Sequence, residues 1–255
     1  MTTRRTFLNA VLATSAYCMP QLYAGAIKRT ITGARSITAF KYAQSTLSES
    51  SIFRNGSRDR RLPISFLFYL IEDGENKILV DVGCDFMPGF KMEHFIRPSE
   101  LLKRYGILTG DISTAVITHA HHDHIGAVAS FKNTTIVIQQ DEAAKGEKYL
   151  KGLRVETFKD KFEIAPHIDV LKIGGHSVGS SIVQLKTENK THILAGDECY
   201  VRACLERKIP TGASFNPKKS EEFIRKYSSP SYEVHLYHDF STLPGRNGRA
   251  ERVFI

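Results

Sequence analysis

The stretch THAHHDHIG, residues 118–126, decides how the rest of the chain is interpreted. It contains a cluster of side chains that bind metals, namely His119, His121, His122, Asp123 and His124. Neutral imidazole nitrogens and carboxylate oxygens are the ligands that hold zinc and similar divalent cations. The run before it, residues 112–118, predicts a strand, and residues 125–127 predict the start of a helix. A strand-to-helix turn would hold converging ligands on rigid flanks; the alternative is a solvated histidine-rich loop.

Three further polar residues extend this pattern along the chain. Each lies at or just past the carboxyl end of an apolar run of strand length, and they are His176, Asp197 and His238. Taken singly, each could be a hydrogen-bonded residue that caps a strand. Together with the cluster they supply three more ligands at strand ends, where such architectures gather binding residues.

Apolar runs of strand length alternate with helical segments through both halves of the chain. Leu62–Ile71 and Lys77–Val82 predict a hairpin at the edge of a sheet. Helices are predicted from Pro98, over Asp141–Lys151 and over Pro217–Tyr227. Phe240–Ile255 is predicted to be a short tail. This order favours an α/β or α+β sandwich with sheets inside and helices outside.

Composition and charge are those of an ordinary globular protein. The chain has 255 residues, of which 42% are hydrophobic and 24% charged, and its formal net charge is +8. The basic residues are spread among acidic ones, with no run of five or more and no basic stripe interleaved with aromatics. We therefore expect no nucleic-acid partner, while the sequence leaves the oligomeric state open.

The first 26 residues have the layout of a bacterial signal peptide. Arg4 and Arg5 precede an apolar stretch, Phe7–Met19, and small residues follow at 24–26. The paired arginines are typical of twin-arginine export, which predicts a periplasmic or secreted protein. A short amphipathic helix is the alternative, and the apolar stretch is too short for a stable membrane anchor. Residues 27–255 are then predicted to form a single domain.

The cysteines do not form a disulfide framework. Cys18 would leave with the signal, and three remain: Cys84, Cys199 and Cys204. Cys199 and Cys204 are close enough in sequence to pair in an oxidising compartment. Three buried thiols are the other interpretation.

The chain resembles the metallo-β-lactamase superfamily. The motifs that carry the resemblance are His119-x-His121-x-Asp123-His124, Gly175-His176-Ser177, Gly196-Asp197, His238 and the aspartate-x-glycine turn at Asp81-Val82-Gly83. The resemblance covers roughly residues 35 to 240. It implies an α+β fold, the four-layer αββα sandwich, with a metal centre on one edge.

The resemblance also implies a role for each ligand residue. One metal would be held by His119, His121 and His176, the second by Asp123, His124 and His238, and Asp197 would bridge the two. Two divalent cations are implied, with zinc the first expectation, although iron, manganese and cobalt suit the same ligands. His122 matches no ligand position and is expected to face away or to support the ligands from behind. Four other histidines are expected to be structural or exposed, namely His94, His167, His192 and His235.

Within the superfamily the chain is most similar to N-acyl homoserine lactonases. These enzymes carry a tyrosine three residues after the bridging aspartate, and Tyr200 stands at that position. The resemblance implies a small-molecule substrate, with Tyr200 reaching the lactone carbonyl and Asp123 relaying a proton. A tyrosine packed at a strand end is the plainer interpretation of Tyr200. Two other functions stay open: a hydrolase of the same fold acting on a phosphoester or another ester, and a metal-dependent binding protein without catalysis.

Overall fold

A computed structural model describes residues 35–89, 91–245 and 248–254. The predicted signal at residues 1–26 lies outside these ranges. The division into a signal and one domain over 27–255 therefore stays a prediction.

The larger of two sheets contains seven strands in the order β12-β1-β2-β3-β4-β5-β6. Its strands are β1 (Arg35–Ser48), β2 (Arg61–Asp73), β3 (Asn76–Val80), β4 (Thr114–Ile117), β5 (Thr135–Gln139), β6 (Arg154–Phe158) and β12 (Arg249–Phe254). Strands β12, β1, β2 and β3 pair antiparallel, while β3 through β6 pair parallel. The carboxyl ends of β3, β4 and β5 therefore meet at one edge of the sheet.

The smaller sheet contains five strands in the order β11-β10-β9-β8-β7. Its strands are β7 (Lys161–Ala165), β8 (Ile168–Lys172), β9 (Ser181–Lys186), β10 (Thr191–Leu194) and β11 (Tyr232–His235). Only β10 and β11 pair parallel, with Leu194 opposite His235. The chain therefore leaves these two strands at the same end of the sheet.

Short helices cover the outer faces of both sheets. They are α1 (Glu49–Ile52), α2 (Pro98–Arg104), α3 (His122–Ile125), α4 (Gln140–Lys145), α5 (Glu147–Leu150), α6 (Arg202–Arg207) and α7 (Pro217–Tyr227). Helix α7 has Pro217 in its first turn, and the side chain of Asn216 accepts a hydrogen bond from the amide of Lys219, which fixes where the helix begins. Nowhere in the described ranges is a helix long and apolar enough to cross a bilayer.

Strand alternation divides the core into layers. In β4, Val116 packs in the cluster between the two sheets, whereas Ala115 and Ile117 pack in the cluster under the helices. Helices α2 and α7 contribute Leu101 and Phe223 to the latter cluster. Because β4 is buried on both faces, it reads as an unbroken apolar run. The predicted α+β sandwich of four layers is confirmed.

Several local predictions are corrected by the structure. The β2–β3 hairpin is present, with Gly74 at φ 63° in its turn, but it lies in the middle of the larger sheet and not at its edge. The predicted tail contains β12, which supplies that edge. The helix predicted over Asp141–Lys151 is interrupted at Gly146, because glycine is a poor helix former. The interpretation of the cysteines as three buried thiols is, by contrast, confirmed, since Cys84, Cys199 and Cys204 are all free and buried.

Candidate metal centre

The histidine-rich turn follows β4, as the sequence predicts, and Asp81 anchors it. Asp81 follows β3, which pairs parallel with β4, and its backbone is left-handed with φ 61°. Its carboxylate accepts hydrogen bonds from the Thr118 amide at 2.7 Å and the Thr118 hydroxyl at 2.9 Å. It also lies 2.7 Å from Nδ1 of His124. One buried carboxylate thus fixes both the entry to the turn and the orientation of a candidate ligand.

The smaller sheet brings two further candidates to the same place. Leu194 in β10 lies opposite His235 in the parallel strand β11. Three residues further along each chain segment come Asp197 and His238, and the Asp197 Oδ1 and His238 Nε2 atoms are 3.1 Å apart. Their proximity therefore follows from the register of the two parallel strands.

All seven predicted ligand residues converge in two adjoining groups. One group contains His119, His121, His176 and Asp197, and the other contains Asp123, His124 and His238. Within each group the candidate ligand atoms lie within 4.8 Å of one another. Most of these side chains are buried, although Asp123 is half-buried and His121 is exposed.

The carboxylate of Asp197 faces both groups, one oxygen toward each. Its Oδ2 lies 3.7 Å from Nε2 of His119 and 3.4 Å from Nε2 of His176. Its Oδ1 lies 3.1 Å from Nε2 of both His124 and His238. This geometry is what a bridging carboxylate requires.

Hydrogen bonds behind the histidines aim a ring lone pair into the centre. Nδ1 of His176 donates to the Ala213 carbonyl at 2.8 Å, and Nδ1 of His238 donates to the Ser65 carbonyl at 2.9 Å. In the neutral ring the outer nitrogen carries the only proton, so Nε2 then faces the centre without one. Such outer acceptors fix the tautomer of metal-binding histidines.

The atoms at the centre lack the partners that buried polar groups need. Nε2 of His124 and Oδ1 of Asp197 are buried and make no hydrogen bond. His121 Nδ1 lies only 2.9 Å from Nε2 of His119 and 3.0 Å from Nε2 of His176. Three ring nitrogens thus lie close together around one point. A divalent cation satisfies such a set of lone pairs and carboxylate oxygens, so the residues fit a metal.

Electrostatics support the same conclusion. Burial lowers the pKa of His119 well below its usual value and also lowers that of His176, so both prefer the neutral form that binds metals. Burial opposes ionisation of Asp197, yet the facing His124 and His238 hold its pKa well below the usual range. His119 and His176 are therefore neutral beside an ionised Asp197. Burial opposes the charged form of His124 and His238 as well, but the facing Asp197 carboxylate outweighs it and raises the pKa of both.

Tyr200 and His122 occupy different positions relative to the two groups. The buried ring of Tyr200 lies between them, with its centroid 5.8 Å from that of His176 and 5.0 Å from that of His238. His122 instead engages Tyr149 Oη at 2.9 Å and the Phe86 carbonyl at 2.6 Å with its two ring nitrogens. Tyr200 thus adjoins both groups, while the nitrogens of His122 are engaged elsewhere.

Two acidic residues near the centre were missed by sequence reasoning. Glu142 in α4 and Glu198 beside Asp197 are fully buried, and both accept hydrogen bonds from the loop that carries His176. No local pattern marks them, since an acid in a short helix or after an aspartate is usually solvated. The one local signal is weak: Glu142 lies three residues after Gln139, whose side chain caps the start of helix α4.

Comparison with known proteins agrees with this geometry. A family model described as the metallo-beta-lactamase superfamily matches residues 67–234. N-acyl homoserine lactonase AiiA of Bacillus thuringiensis subsp. kurstaki is 28% identical over 205 residues, which cover 71% of this chain and 82% of the relative. N-acyl homoserine lactonase AiiB of Agrobacterium fabrum is 27% identical over 180 residues, covering 55% of this chain and 65% of that protein.

Solved structures show the same fold. A crystal structure of a quorum-quenching N-acyl homoserine lactone lactonase superposes with a TM-score of 0.72 at 26% identity, covering 86% of this chain and 98% of that one. The fold of AidC, a dizinc quorum-quenching lactonase in complex with an N-acyl homoserine product, matches with a TM-score of 0.68 at 14% identity over 88% of this chain and 95% of that one.

Proposed function

The chain belongs to the metallo-β-lactamase superfamily and is a metal-dependent hydrolase acting on ester bonds; from this premise we propose that it opens the lactone ring of N-acyl homoserine lactones. The observation that carries the proposal is the pair of ligand groups joined by Asp197, with Tyr200 packed against both. The lactonases among its relatives support the substrate class. The centre would hold two divalent cations, and its imidazole and carboxylate ligands favour zinc.

Metal in this centre would supply a nucleophilic water at neutral pH and polarise the attacked carbonyl. One ion would be held by His119, His121 and His176, and the other by Asp123, His124 and His238. Asp197 would contribute to both sites. The remaining chemistry falls to side chains of the chain itself.

Tyr200 and Asp123 carry the two roles that the ligands alone do not fill. The Tyr200 hydroxyl donates a hydrogen bond to the lactone carbonyl oxygen, where negative charge develops as the ring is attacked. Oδ2 of Asp123 lies 3.6 Å from Nε2 of His124 and of His238, at the less enclosed side of the second group. From there Asp123 accepts the proton released by the attacking water and passes it to the ring oxygen as the ester bond breaks.

One preparation tests the substrate and the metals together. Metal content is measured by elemental analysis, and turnover is then followed on N-acyl homoserine lactones of several chain lengths and on a chromogenic phosphoester. Lactone turnover well above phosphoester turnover, with two metal equivalents bound, supports the proposal. Preferred phosphoester turnover would identify a phosphoesterase of the same fold, and no turnover of either by metal-loaded protein would leave a binding protein.

We further propose that the protein is exported. The support is the signal-like layout of residues 1–26, with Arg4 and Arg5 ahead of an apolar stretch. Fractionation of cells that express the full chain tests this, together with Arg4→Lys/Arg5→Lys. Retention of the double variant in the cytoplasm is expected, and equal export of both forms would refute the twin-arginine route.

A further inference from the structure

Glu142 joins the two loops that carry the histidines of one ligand group. Its Oε2 accepts a hydrogen bond from the amide of Ala120, which stands between His119 and His121 in the chain, at 3.0 Å. Its Oε1 accepts from the Ser177 hydroxyl and the Gly179 amide, both at 2.8 Å. The side chain is 1% exposed. One carboxylate therefore bonds to the residue between two ligands and to the segment that follows the third, His176.

The other ligand group has different supports. His124 is held by Asp81, whose carboxylate lies 2.7 Å from its Nδ1, and His238 by the carbonyl of Ser65. None of the hydrogen bonds described for Glu142 reaches either of these histidines. The two groups share Asp197, and Asp81 also reaches the first group through the Thr118 hydroxyl, which lies 3.1 Å from Nδ1 of His119. Of the two groups, Glu142, in contrast, bonds only to the loops of the first.

A carboxylate is needed at position 142 because both of its oxygens accept. With glutamine there, an amide oxygen turned toward Ala120 would point the NH2 group at the Ser177 and Gly179 donors. The reverse orientation would point it at the Ala120 amide. In either orientation one loop loses its acceptor and meets a donor instead. Glu142→Gln is therefore a nearly isosteric change that must release one of the two loops.

Glu198 limits how far the His176 loop can move when Glu142 is changed. Its Oε1 accepts from the amides of Gly175 and His176, at 3.0 Å and 3.3 Å. The backbone of the ligand itself thus keeps one anchor while the following residues lose theirs. A partial loss of metal affinity is the expected result, not an abolished site.

We propose that Glu142 is a positioning residue that sets the metal affinity of the group formed by His119, His121 and His176, and leaves that of the second group unchanged. This rests on the proposed two-metal hydrolase. Because changes to the outer partners of metal ligands cost about 10–100-fold in affinity, Glu142→Gln should weaken one of two binding steps by about that factor.

The test measures zinc affinity and not catalysis. Metal-free protein competes with a chromogenic chelator for zinc, in backgrounds where one group is disabled. His238→Ala leaves the first group to bind, and His121→Ala leaves the second. Adding Glu142→Gln should raise the dissociation constant about 10–100-fold in the His238→Ala background and leave it unchanged in the His121→Ala background.

Two control variants separate positioning from charge and from misfolding. Lys145, whose Nζ lies 3.2 Å from Oε1 of Glu142, is about half exposed, and Lys145→Met should leave both constants unchanged. Ser177→Ala removes a single donor to Glu142 and should weaken the first group in the same direction by less. It provides the measurement if Glu142→Gln fails to fold.

The outcomes distinguish this inference from the proposed function. Equal weakening in both backgrounds, or none in the His238→Ala background, would overturn the role of Glu142. A wild-type protein that binds only one zinc ion would overturn the two-metal centre itself. Site-selective weakening in a protein that hydrolyses no lactone would uphold the role of Glu142 and refute the substrate.

Discussion

A stacked pair of histidines away from the metal centre makes the stability of the fold sensitive to pH. Nδ1 of His192 lies 3.1 Å from Nε2 of His235, and the rings stack at 5.4 Å with an interplanar angle of 18°. His235 is buried, with Tyr69 against one edge. Burial, together with the nearby His192 and Arg202, lowers the pKa of His235 from 6.5 to about 3.

The sign and size of the effect follow from that shift. Because the pKa of His235 is lower in the folded state, folding favours the neutral side chain. The contribution of His235 to stability is therefore fully present above about pH 6.5 and is lost as the pH falls toward 3. At about pH 4.5 the unfolded chain gains about 3 kcal/mol from protonating this one side chain. His235→Phe keeps a flat ring and cannot titrate. It loses one hydrogen bond, which costs about 1 kcal/mol at neutral pH.

Urea unfolding of metal-free protein at the two pH values provides the measurement. The variant should be slightly less stable than the wild type near pH 7 and more stable near pH 4.5. Because every other titrating group is common to both proteins, only the change in their difference matters, and it should be about 3 kcal/mol. A difference that stays constant between the two pH values would refute the role of His235.

Three further predictions concern packing, catalysis and metal. Gly212→Ala should destabilise the fold by about 1–3 kcal/mol or more in chemical denaturation, because a Cβ there would lie 1.9 Å from the Ser50 carbonyl oxygen; Gly110→Ala, where a Cβ meets nothing within 4 Å, is the matched neutral control. Tyr200→Phe should lower kcat/KM on a lactone by about 10²-fold if the hydroxyl stabilises the oxyanion, with metal content unchanged; an unaltered kcat/KM would show that Tyr200 is only a packed aromatic. Removing metal with a chelator should lower Tm, and zinc should restore it in a concentration-dependent way; a Tm indifferent to zinc would contradict a bound metal.

The ligand residues could be predicted from sequence because each follows an apolar strand. His119, His176, Asp197 and His238 are recognisable by their chemistry and by their position after a strand. The parallel register of β10 and β11 then places Asp197 beside His238. Strand order carries no such local mark. The prediction that the β2–β3 hairpin lies at a sheet edge is wrong for this reason.

The missed features depend on contacts between distant segments. β12 has a mostly polar sequence, RAERVF, and becomes a strand by pairing with β1, more than 200 residues earlier. Glu142 and Glu198 acquire their roles only when the loops around them meet. Burial of such acids requires hydrogen-bond donors from elsewhere in the fold, and those donors cannot be read from neighbouring residues.

The candidate ligands are divided between the two sheets, and this division links metal binding to the integrity of the sandwich. His119, His121, Asp123 and His124 follow a strand of the larger sheet, whereas His176, Asp197 and His238 follow strands of the smaller one. Neither group is complete on one sheet. A bound ion would therefore act as a cross-link over the seam, so the two layers could not part without releasing it. Amide exchange from the strands that border this seam should slow when zinc is added, while exchange at the distant edge strands should change least.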